Sequence, residues 1–168
     1  MVMVHAAATW GPPATTQPSL LVYIVSGLGG LAAPLFVTVF GWGCVRGSST
    51  GKQRLIRAMF FLLAQGAINL SSPHLFDPFS PGVLTLFALL ILLQPLWIKP
   101  FHSSQQNSHI GFLAGLVAVL LFTAYASSVQ GPSVWSSRIQ TTGVTQWFEH
   151  ALVTGTYPFL PWVIFAMF

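Results

Sequence analysis

The chain has 168 residues, of which 54% are apolar and 5% charged, and its mean hydropathy is +0.73. A soluble domain carries about 25% charged residues, so this one cannot coat a water-facing surface with charge. The net charge of +4 comes from six Lys/Arg against two acids; these cations are spread between apolar segments rather than massed in a basic stripe, which excludes a nucleic-acid partner. The predicted class is an all-α membrane protein, a helical bundle with four full transmembrane helices and two partial ones at the termini.

In chain order, Met1–Trp10 is apolar from its first residue and lacks a basic leader, so it does not read as a signal peptide. It is shorter than the roughly 20 residues a span needs, and is expected to be the second half of a spanning helix. Leu20–Val45 is the first full span. Ser26, Gly27, Gly29, Gly30, Ala32 and Ala33 give it a packing face, and Pro34 predicts a kink. Gly47–Gly51 is a polar loop flanked by Arg46, Lys52, Arg54 and Arg57, the strongest basic cluster.

Leu55–Leu70 is the second span. Gln65 and Asn69 stand four apart on one helix face, where they act as glue between helices or line a polar wall. Ser71–Pro81 is a Pro-rich loop with His74 and Asp77. Gly82–Ile98 is the third span, softly broken at Gln94-Pro95, and Lys99–His109 is an inner loop. Ile110–Val129 is the fourth span, carrying Gly111-x-x-x-Gly115. Gln130–Pro158 is the longest polar stretch, with Arg138, Glu149 and His150 and a short interfacial helix at Thr145–Val153. Phe159–Phe168 starts a last, partial span.

The positive-inside rule puts the Arg46–Arg57 and Lys99–His109 loops in the cytoplasm, as in a multi-pass protein of the bacterial inner membrane. The partners implied are the lipid bilayer and other membrane subunits or further helices. Cys44 is the lone cysteine, which excludes an intrachain disulfide. The five histidines are scattered without a His-x-x-x-His pair, so no metal site is expected. No resident cofactor is indicated.

Among ionisable residues, His5 is the first candidate for chemistry. An ionisable side chain inside an apolar helix is costly, and imidazole serves as a base near neutral pH. A histidine hydrogen-bonded near the helix end is an equal reading. Glu149 and His150 come second, with solvated loop residues the stronger reading.

Several segments, in this order, resemble one family. They are Met1-Val-Met-Val-His5, Gly30-Leu-Ala-Ala-Pro-Leu-Phe-Val37 followed by Phe40-Gly-Trp-Gly43, Arg54-x-x-Arg57, Leu62–Asn69, and Gly155-Thr-Tyr-Pro-Phe-Leu-Pro-Trp162. Together the chain resembles the N-terminal part of the membrane acyltransferase superfamily, which includes the DUF1624, heparan-α-glucosaminide N-acetyltransferase-like and acyltransferase-3 proteins. Further helices are expected after Trp162 in such proteins.

The resemblance implies transfer of an acyl group from a donor such as acyl-CoA to a hydroxyl or amino group of a carbohydrate. It implies that His5 is the base or the transient acyl carrier, that Gln65 and Asn69 hydrogen-bond the acceptor or the acyl carbonyl, and that Arg54 and Arg57 hold CoA phosphates. The competing reading is a non-catalytic structural transmembrane subunit of a larger complex, in contact with pigment or lipid. A transporter has less support, since there is no intramembrane acid–base pair or inverted repeat.

Overall fold

Thr50-Gly-Lys-Gln53 is a capping-box signature, and it starts a helix four residues earlier than the apolar pattern predicts. In the computed structural model, which describes residues 20–102, 108–127 and 134–167, the Gln53 amide N–H donates to Thr50 Oγ1 at 3.3 Å and the Thr50 N–H donates to Gln53 Oε1 at 3.0 Å. The helices in order are α1 (Leu20–Arg46), α2 (Gly51–Ser71), α3 (Val83–Leu92), α4 (Gln94–His102), α5 (Ser108–Ser127), α6 (Trp135–Ile139), α7 (Val144–Glu149) and α8 (Phe159–Met167). A π-helical turn, His150–Thr154, follows α7 directly. No strand occurs among the described residues.

No helix among the described residues is long and apolar enough to cross a membrane. This overturns the bundle of four full and two partial transmembrane helices, and with it the multi-pass integral localisation and the cytoplasmic assignment of the Arg46–Arg57 and Lys99–His109 loops. The predicted 82–98 span shows one physical reason. It is two helices, α3 of 10 residues and α4 of 9, separated at Leu93. At 1.5 Å per residue each is about 15 Å long, half of a hydrocarbon core of about 30 Å. Pro95 has no N–H to continue the ladder of α3, and it falls in the first turn of α4, where none is needed. The 9-residue α8 is equally short. In α2 the cations Lys52, Arg54 and Arg57 occupy the first two turns of 21 residues. The partial span at Met1–Trp10 lies outside the described residues.

The core forms where α1, α3, α4 and α8 converge. Val37, Leu86, Leu90, Trp97, Val163 and Ala166 are buried together. The Trp97 Nε1–H donates to the Leu90 carbonyl at 2.9 Å, so the indole is buried with its polar atom satisfied. The approach of α8 to α1 depends on Gly41, which is buried. A Cβ built there would collide with the Ala166 backbone, 2.6 Å from its Cα. The α2–α3 pair is held by an amide network rather than by apolar packing alone. Gln65 Nε2 donates to Asn69 Oδ1 at 2.9 Å, Asn69 Nδ2 donates to the carbonyls of Ser80 (2.8 Å) and Pro78 (3.2 Å), and the Leu84 N–H donates to Gln65 Oε1 at 3.1 Å.

Candidate functional site

The cytoplasmically assigned basic cluster of the sequence turns out to border two adjoining cavities. The C-terminal turns of α1 bring Val39, Phe40 and Cys44 to one wall. The first turns of α2 bring Arg54, Ile56, Arg57, Phe60 and Phe61, and the α3–α4 junction supplies Ile91 and Gln94. The larger cavity, about 690 Å³, is walled mainly by Val39, Phe40, Ile56, Phe60, Phe61 and Ile91, with Arg57, Ser49 and Gln94 as its polar groups. The smaller, about 360 Å³, is bordered by Ser48, Ser49, Arg54, Gln94 and Pro95. Cys44, Gly47, Ser49 and Gln94 belong to both. This is the size and make-up of a small-molecule site, mostly apolar with a few placed polar groups.

Gln94 fixes the boundary. Its Nε2 donates to the Cys44 carbonyl at 2.6 Å, and its Oε1 accepts from Ser49 Oγ at 3.2 Å. One amide therefore ties the start of α4 to the end of α1 and to the α1–α2 loop. The apolar wall is also preorganised. Phe40 stacks on Phe87 with centroids 4.4 Å apart and 17° between planes, while Phe61 meets both rings edge-on at 5.8 and 5.9 Å. Aromatic clusters of this kind restrict side-chain motion at the wall.

The electrostatics favour an anion. The first turn of α2 holds no acid, and Lys52, Arg54 and Arg57 add positive charge to the positive end of the helix dipole. That arrangement costs the helix about 0.3–1 kcal/mol per misplaced charge, a cost an anion would offset. The Cys44 thiol is half-buried, and burial pushes it up to about 11, opposed in part by the Arg57 guanidinium. It is a protonated thiol at neutral pH and not a nucleophile.

Of the residues expected from the sequence, Arg54 and Arg57 come together at the cavities. Gln65 and Asn69 lie farther along α2, in the seam with α3, and their amides bond to each other and to the backbone of residues 78–84. His5 lies outside the described residues. His150, expected in a solvated loop, is buried. Its Nε2 faces the Gln140 carbonyl at 3.2 Å and its Nδ1 faces Thr154 Oγ1 at 2.9 Å. A carbonyl only accepts, so Nε2 is the donor to Gln140, while the threonine hydroxyl can pair with Nδ1 in either role.

Gln94 and Ser49 were not singled out by sequence reasoning. The signal for Gln94 was present, an amide inside an apolar run, and it was absorbed into the expected break at Gln94-Pro95. Among the described residues no three His, Cys, Asp or Glu side chains converge on a metal position. No family model, curated protein or solved structure matches the chain, so what the site can do is carried by its own geometry.

Proposed function

We propose that this chain takes part in acyl transfer, binding an acyl thioester donor of the acyl-CoA type in the cleft between α1, α2 and the α3–α4 junction. The acyl chain lies among Phe40, Phe60, Phe61 and Ile91, and the anionic end of the donor meets Arg57 and Arg54. The single observation that supports this reading is the joining of an apolar cavity to a polar one at a cationic helix start. In the reaction, the base removes the proton from a hydroxyl or amino group of a carbohydrate-type acceptor. The acceptor oxygen or nitrogen attacks the thioester carbonyl, and the CoA thiolate leaves. The base is His5, carried over from the resemblance of the first segment.

Displacement of a fluorescent fatty-acyl probe by dodecanoyl-CoA tests the donor site. The double variant Arg54→Gln, Arg57→Gln is expected to weaken acyl-CoA about 10- to 100-fold, as loss of charge-assisted hydrogen bonds does, while leaving dodecanol binding unchanged. Equal acyl-CoA affinity in the variant and the parent protein would overturn the proposal. His5→Ala is expected to abolish transfer and retain donor binding.

A second reading, a non-catalytic structural subunit, draws on a different observation. Exposed large apolar side chains occur on nearly every helix, among them Leu28, Leu35, Phe36, Leu63, Leu96, Leu121 and Val144, and patches of this kind mark interaction surfaces. Stable recovery of an active single chain would count against that reading.

A further inference from the structure

A third cavity, remote in sequence from the acyl cleft, has a different chemistry. It occupies about 550 Å³ where the turn Thr141–Gly143 and the first turns of α7 meet the α2–α3 connection. Three aromatic rings line it, Trp147 and Phe148 from α7 and Phe79 from the connection. Trp147 and Phe148 stand edge to face, with centroids 5.1 Å apart and 89° between planes. Phe79 is among the most exposed large apolar residues, at 74%; a ring so placed contributes little to the core.

The two threonine hydroxyl protons at the rim are already engaged. Thr142 Oγ1 donates to Gln146 Oε1 at 2.7 Å, and that same oxygen accepts the Thr142 N–H at 2.8 Å. Thr141 Oγ1 donates to the Ile139 carbonyl at 3.4 Å. A sugar, with a hydroxyl on nearly every carbon, would find few partners here. The cavity offers ring faces and an electric field instead. The chain has two acids in all, and each is within two residues of a lining ring in sequence. Asp77 Oδ1 accepts the backbone N–H of Phe79 at 3.1 Å, and Glu149 follows Phe148 directly.

The geometry points to a binding site for a quaternary ammonium group, of the trimethylammonium type, in the cup formed by Phe79, Trp147 and Phe148. Such a cation has no N–H to satisfy. Its methyl groups fill an apolar volume, and its charge is attracted to the negative faces of the rings and to Asp77 beside Phe79. This inference does not rest on the acyl-donor reading and can survive its failure. The group can come from a free small molecule or from a lipid headgroup, which share this chemistry.

The test is titration of the full chain with choline and with 3,3-dimethylbutan-1-ol, its neutral isostere, followed by calorimetry or ligand-observed NMR. Choline is expected to bind about twofold to thirtyfold more tightly, the range of a cation–π contribution. Trp147→Leu should remove that preference, and Asp77→Asn should reduce it. Equal binding of choline and the isostere by the parent protein overturns the inference, whatever the variants do. A choline preference that survives Trp147→Leu in folded protein overturns it as well. Tighter binding of dihexanoyl-phosphatidylcholine than of choline assigns the headgroup as the source, and the reverse order assigns the free ammonium; both uphold the cup.

Discussion

At the scale of single residues, Cys44 shows how position decides reactivity. The sequence offers one thiol beside a helix end, where an inert apolar thiol is the expected reading. The structure half-buries it beside Arg57, and burial prevails over the neighbouring charge, so the thiol sits at about 11. Alkylation by iodoacetamide is therefore expected to be slow at pH 7–8, to rise about tenfold per pH unit, and to level off only above about 11. Arg57→Gln removes the one influence that lowers the value, so the whole rate–pH profile should move to higher pH; a profile shifted to lower pH would contradict this account. The Gln65–Asn69 pair illustrates what a sequence can and cannot carry at this scale. Their shared face follows from the helix repeat. Their partners, the carbonyls of Pro78 and Ser80, follow from how a Pro-rich loop turns back on the helix before it, and no spacing rule encodes that.

At the scale of elements, α1 and α8 meet at a point where no side chain fits. Gly41 is one of several glycines in α1, and it lies beyond the small-residue face of 26–33, toward the helix end. Only the structure separates it from Gly30 and Gly43, where an added Cβ meets nothing within 4 Å. Gly41→Ala should push α8 away and destabilise the fold by about 1–3 kcal/mol, the cost of overpacking, whereas Gly43→Ala should be neutral or slightly stabilising through helix propensity. Thermal unfolding of the two variants beside the parent protein checks the contrast. The same scale explains the misread third span. The mainly apolar run from 82 to 98 carries no periodicity to distinguish one helix from two, and the Gln94-Pro95 break marks the point of division. The early start of α2 is legible in Thr50 and Gln53, upstream of the apolar run.

At the scale of the whole molecule, composition spoke clearly about surface and poorly about architecture. The shortage of charge does appear as exposed apolar side chains, from Leu20 at 77% to Phe79 at 74%. A bundle of spans requires each apolar run to be one long helix, and the break at Leu93 denies it for 82–98. The site divides the same way. The cations Arg54 and Arg57 were visible as a cluster, but the cavities beside them arise from three elements meeting, which no linear pattern announces. A surface of this kind predicts association. In sedimentation velocity the chain is expected to be polydisperse in plain buffer and to resolve to one species in mild detergent; a single monomeric species in both would show that the apolar faces need no cover.

The Gln94 amide, donor to Cys44 and acceptor from Ser49, belongs to the walls of both cavities at the α2 start. Its position is therefore under two independent demands at once. Glutamate retains the acceptor and loses the donor, leucine keeps the bulk and loses both, and histidine cannot present the same pair of atoms at the same reach. A systematic replacement series would find this residue far less replaceable than its partial exposure suggests. The two chambers are also not separately adjustable: any change that widens one moves the partition of the other, so variation in what the apolar chamber accepts has to be compatible with what the cationic chamber holds.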